Sequence, residues 1–131
     1  MKTDLGELVG RTVLLVDDDT DARAAFEELL TTVGCKVLTA ANGLDALDLL
    51  KAGARPAVMV VDLEMPLMDG QRFCEACDKN SSFASIPRVL LTANPYAAFF
   101  HSRAYRVYSK PADTGAVLAS LATVCALPRA A

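Results

Sequence analysis

A chain of 131 residues, 53% of them hydrophobic, fits one globular domain with a sizeable core and leaves little for a second. Its formal net charge of −3 carries no basic stripe of the kind nucleic-acid binding needs. No apolar run approaches the roughly 18 residues of a membrane span, and the acidic start Met1-Lys2-Thr3-Asp4-Leu5-Gly6-Glu7 lacks a secretory h-region, so no membrane association and a cytoplasmic location are expected.

Strand and helix signals alternate along the whole chain, which argues for a parallel sheet covered on both faces. Residues 1–10 read as an N-terminal tail, 11–125 as the domain and 126–131 as a C-terminal tail. The run Thr12-Val13-Leu14-Leu15-Val16 predicts a first strand. A helix over about 20–33 follows, with Asp19 or Thr20 as N-cap, Phe26, Leu29, Leu30 and Val33 inward, and Gly34 as the stop. A second strand fits 36–40. Asn42 caps a second helix whose apolar stripe is Leu44, Leu47 and Leu50, closed by Gly53. Strand three falls at 57–61 and helix three at 70–78. Strand four falls at 87–91, and only a short fourth helix fits between Asn94 and Arg103. Strand five is expected at 105–109 and a last helix at 113–125, with Val117, Leu118, Leu121 and Val124 inward.

Buried parallel strands read as short aliphatic runs, and ligands in open α/β sheets sit outside their carboxyl ends. The first run stops on Asp17-Asp18-Asp19, the third on Asp62, the fourth on Thr92 and the fifth on Lys110-Pro111. Carboxylates, a hydroxyl and an ammonium gathered at one sheet edge suit metal-dependent chemistry on phosphate. The cysteines do not add to it. Cys74-x-x-Cys77 lies at helical spacing beside Phe73, so core packing is the expectation rather than a redox pair or zinc site.

Five pieces in order resemble a response-regulator receiver domain of two-component signalling, of the chemotaxis-regulator kind. They are Leu15-Val16-Asp17-Asp18-Asp19, Ala41-Asn42-Gly43-x-x-Ala46-Leu47, Asp62-x-x-Met65-Pro66-x-Met68-Asp69-Gly70, Leu91-Thr92-Ala93 and Lys110-Pro111. The resemblance covers about 11–125. It implies a doubly wound, flavodoxin-like α/β fold with a five-stranded parallel sheet of order 2-1-3-4-5, here with a shortened fourth helix. Asp62 would accept a phosphoryl group from a sensor histidine kinase or a histidine phosphotransfer protein. Asp17, Asp18, Asp62 and the backbone carbonyl of Glu64 would hold Mg²⁺. Thr92 would hydrogen-bond the acyl phosphate and Lys110 would pair with its oxygens, with a cis bond before Pro111. Such a protein catalyses only its own phosphorylation and dephosphorylation, and is not an enzyme acting on an external substrate.

The sequence also departs from that pattern. The stretch from Thr92 to Lys110 is short, and Val107 stands where the family carries an aromatic switch residue. Tyr105 is a candidate substitute, with edge packing the simpler reading. Tyr96, Phe99, Phe100 and Tyr105 either line a partner surface or close the core, and His101 reads as solvated. Glu64 is either a solvated side chain or one that reaches the metal or orients a water and so sets the adduct lifetime. Other chemistries fit these residues less well. Asp17-x-Asp19-x-Asp21 imitates a calcium loop but has Ala22 where that loop needs Gly. It also imitates the nucleophile of haloacid-dehalogenase-like phosphatases but lacks their later acidic pair. The stronger alternative is a receiver-fold protein-interaction module that no longer depends on phosphorylation.

Overall fold

A computed structural model describes residues 4–94 and 106–127. Its order is a 3₁₀ turn η1 (Leu5–Leu8), β1 (Thr12–Val16), α1 (Thr20–Thr32), β2 (Lys36–Ala40), α2 (Gly43–Lys51), β3 (Val58–Asp62), α3 (Gly70–Asp78), β4 (Arg88–Thr92), β5 (Arg106–Ser109) and α4 (Thr114–Ala126). The five strands form one parallel sheet of order β2-β1-β3-β4-β5, as the resemblance implied. That order places β1 beside β3, with Val16 opposite Val61. The expected shortened fourth helix, Tyr105, and the aromatic group Tyr96, Phe99 and Phe100 with His101 lie outside the described residues.

Side-chain alternation divides the core into two layers. Leu14, Val16, Met59, Val61 and Leu90 face α2 and α3, where Leu47, Leu50 and Phe73 pack on them. Val13, Leu15, Val58, Val60 and Val89 face α1 and α4, against Leu30, Leu121 and Val124. The central strand β3 is buried along its whole length, which is why its sequence is uninterruptedly apolar until the acid. Cys74 and Cys77 are buried in the first layer as free thiols, in agreement with core packing.

Local chemistry fixes the helix starts. Asp19, Asn42, Asp69 and Asp113 each accept backbone N–H groups from the first turn of the helix that follows. Gly34 ends α1 with φ +103°, a left-handed stop that β-carbon-bearing residues reach only at a cost. Two details differ from the sequence reading. Leu44 is 44% exposed, because the buried face of α2 runs through Gly43, Ala46, Leu47 and Leu50 at helical spacing and leaves Leu44 at its margin. Packing also begins before residue 11: Leu8 of η1 is fully buried in the second layer, and Arg11 donates from Nη2 to the Cys125 carbonyl at the end of α4, 3.2 Å away.

Arg88 opens β4 with only 2% exposure. Its guanidinium donates to the carbonyls of Cys74, Ala84 and Ile86 and to the Asp78 carboxylate, 3.0 Å away. A buried charge is tolerated only when it is paired and hydrogen-bonded in this way. The cluster fastens the end of α3 to the entrance of β4.

Candidate phosphoacceptor site

The carboxyl edge of the sheet collects the polar residues that end the strands. Asp62 is the last residue of β3, and Asp17 and Asp18 follow β1, its neighbour. Carboxylate oxygens of Asp17, Asp18 and Asp62 all lie within 4.8 Å of one another, with Asp17 and Asp62 buried and Asp18 exposed. Thr92 is the last residue of β4, and Lys110 follows β5. Lys110 Nζ donates to Asp62 Oδ2 at 2.6 Å. Its N–H meanwhile donates to the Thr92 carbonyl at 2.8 Å, tying the two strand ends together. The Lys110–Pro111 bond is cis. The sheet therefore brings together the acids, the hydroxyl-bearing strand end and the lysine that the sequence singled out.

Electrostatics at Asp62 are a contest. Burial pushes its carboxyl above the usual carboxylate range, while Lys110 and the Glu64 N–H, 3.0 Å from Oδ1, pull it down and the nearby Asp17 pushes it up again. Lys110 is held above its usual value: burial opposes its charge, but the hydrogen bond and charge of Asp62 outweigh that. The donor set suits a small hard cation. Three carboxylates meet, and the hydrogen bonds from Asp19 N–H to Asp17 Oδ1 and from Glu64 N–H to Asp62 Oδ1 leave further oxygen lone pairs to bind metal. The calcium-loop reading fares worse, because Asp19 spends a side-chain oxygen on the N–H groups of Asp21 and Ala22.

Close backbone approach shapes the loop after Asp62. A β-carbon on Gly70 would stand 2.5 Å from the Asp62 carbonyl oxygen and 2.7 Å from Leu63 Cα, so only glycine lets α3 start against the end of β3. The sequence showed Gly70 as a motif letter without this reason. It also left open where the Glu64 side chain goes. Glu64 is exposed, as the solvated reading has it, but its carboxylate is also engaged: Oε2 accepts the Thr92 hydroxyl at 2.8 Å, and Oε1 accepts the Ala93 N–H. Beside Lys110 an apolar groove lies between α1 and α4, lined by Ala22, Phe26, Leu29, Leu91, Ala112 and Val117.

No helix among the described residues is long and apolar enough to cross a membrane. Comparison with known proteins gives a family match, described as response regulator receiver domain, over residues 13–122. The chain is 39% identical over 84 residues to Protein PilG of Pseudomonas aeruginosa, an alignment covering 64% of this chain and 62% of that protein. It is 38% identical over 82 residues to the Sensor histidine kinase CheAY of Helicobacter pylori, covering 62% of this chain but 10% of the kinase. The chain thus aligns with less than two thirds of either relative. The fold superposes with TM-score 0.78 on the response regulator protein TrrA of Thermotoga maritima, crystallised in complex with Mg²⁺–BeF, at 23% identity over 87% of this chain and 98% of that one. With a match running from the first strand into the last helix, on a sheet wound in the same order, the chain belongs to the response regulator receiver domain family.

Proposed function

We propose that Asp62 accepts a phosphoryl group from a phosphohistidine on a sensor histidine kinase or phosphotransfer protein, and that the resulting change in the β4 edge is the signal. The observation that carries this reading is the buried Asp62 carboxylate, in contact with Lys110 and crowded by Asp17 and Asp18 at a single sheet edge. In the transfer, an Asp62 carboxylate oxygen attacks phosphorus, the P–N bond breaks, and the imidazole leaves with the electron pair. The acyl phosphate so formed carries oxygens that need donors. Lys110 Nζ stands beside the nucleophile and offers phosphoryl oxygens the N–H groups it does not give to Asp62 Oδ2. Thr92, at the end of the adjacent strand, would supply the hydroxyl.

Asp17, Asp18 and Asp62, with the backbone carbonyl of Glu64, would hold Mg²⁺. When bound, the cation offsets the mutual repulsion of the acids and spreads the charge of the transferring group. The chain's own part is to keep Asp62 ionised and aimed, and Lys110 does this by its hydrogen bond. The protein would thus act only on itself.

Incubation with acetyl phosphate and Mg²⁺, followed by intact mass spectrometry, tests the proposal. A single phosphoryl adduct is expected, absent in Asp62→Asn and absent with EDTA. An adduct that survives in Asp62→Asn but not in Asp17→Asn would point to phosphatase-like chemistry at Asp17. No adduct in any form would leave the receiver-fold interaction module as the better reading.

A further inference from the structure

The Glu64 side chain makes a contact that the transfer chemistry does not use. Its main-chain N–H serves Asp62 Oδ1 at 3.0 Å, yet its carboxylate crosses from the end of β3 to the end of β4. There one oxygen accepts the Thr92 hydroxyl at 2.8 Å and the other the Ala93 N–H. Thr92 Oγ1 in turn accepts the Asn94 N–H at 3.0 Å, which fixes the hydroxyl proton on Glu64. Thr92 is 1% exposed, so its hydroxyl cannot turn to bulk water instead.

This two-point seat, one hydroxyl and one amide, matches a pair of anionic oxygens, whether on a carboxylate or a phosphoryl group. A hydroxyl has one proton and an amide one, so each donor serves one acceptor well at a time. A phosphoryl group on Asp62 that drew on Thr92 would find the seat taken by a like charge. We propose that the Glu64 carboxylate is the resident occupant of the phosphoryl-oxygen seat, holding the β4 edge in its unmodified arrangement until phosphorylation of Asp62 evicts it. Glu64 is therefore a positioning residue, acting through Thr92 and Ala93. The inference rests on the reading of Asp62 as phosphoacceptor. It adds that the β3 and β4 edges are latched by an exposed carboxylate of the chain itself, and that the phosphoryl group and the latch compete.

The test is binding of beryllofluoride with Mg²⁺, measured by titration on the full chain, in wild type, Glu64→Ala and Glu64→Asp. Two charge-assisted hydrogen bonds must be broken before the ligand is seated in the wild type, so Glu64→Ala should bind about tenfold more tightly. Glu64→Asp keeps the charge but is one methylene too short to reach the seat. It should behave like Glu64→Ala, whereas a purely electrostatic influence of Glu64 would make it behave like wild type. The Ala93 amide resonance, free of ligand, should move upfield in both variants as the hydrogen bond is lost. Equal affinities for wild type and Glu64→Ala, or wild-type affinity in Glu64→Asp, overturn the latch while leaving Asp62 as acceptor. If no form binds beryllofluoride, the acceptor reading fails and the latch with it.

Discussion

The substitution Asp17→Asn removes one charge from the acidic cluster with little other disturbance, since the amide oxygen it leaves can still accept the Asp19 N–H that Asp17 accepts at 2.9 Å. With carboxylate oxygens within 4.8 Å, each pair repels by about 3.5 kcal/mol at an effective dielectric of 20 and about 0.9 kcal/mol in water. Asp17 and Asp62 are both buried and lie toward the first limit, while exposed Asp18 lies toward the second. Lys110 already offsets part of the charge on Asp62. Metal-free Asp17→Asn should therefore be more stable than wild type by roughly 1–3 kcal/mol, or about 4 °C in Tm per kcal/mol for a domain of this size. Magnesium should reverse the ranking. The wild type should gain about 1.4 kcal/mol at a concentration tenfold above its dissociation constant, and the variant should gain little. Thermal melts in EDTA and across a magnesium series measure both. If Asp17→Asn melts below wild type in EDTA, and magnesium moves neither protein, the three acids do not act as one cation site.

Gly70→Ala should destabilise by roughly 2–3 kcal/mol in urea unfolding, because its β-carbon meets backbone atoms of Asp62 and Leu63 that cannot swing aside. A loss below about 0.5 kcal/mol would mean that the β3–α3 junction relaxes freely. Burial pushes the Cys77 thiol up to about 12 from 9.0, so the folded state favours the neutral thiol. That contribution is whole below pH 9.0, and it falls as pH rises toward 12 while the unfolded thiol ionises. Between about pH 9.5 and 11 the slope of stability should be shallower in Cys77→Ala, by up to about 1.4 kcal/mol per pH unit. Parallel curves would show that Cys77 is not the group that titrates.

β1, β3 and β4 were legible because each is a short aliphatic run closed by a polar residue, and all five strand ends agree with the sequence reading to within about a residue. The same pattern brought Asp17, Asp18, Asp62, Thr92 and Lys110 to one edge. Three features were not legible. Leu8 lies in a four-residue turn with exposed Leu5 and Val9 close by, too short a stretch for any periodicity to announce which of the three is buried. Arg88 reads as a solvated charge at a strand start. Its burial follows from carbonyls at the end of α3 and from Asp78, ten residues earlier, and such a pairing exists only once the chain is folded. The reach of Glu64 to Thr92 joins residues 28 apart, through strands whose pairing the local sequence does not state.

The η1 turn precedes β1, and α4 runs back from the end of β5, so the contact of Arg11 with the Cys125 carbonyl lies at the pole of the molecule remote from the acids. A tether or dye placed near that contact would leave the acidic edge of the sheet turned outward. Immobilised this way, the protein could be approached at that edge by a bulky macromolecule without steric interference from the support.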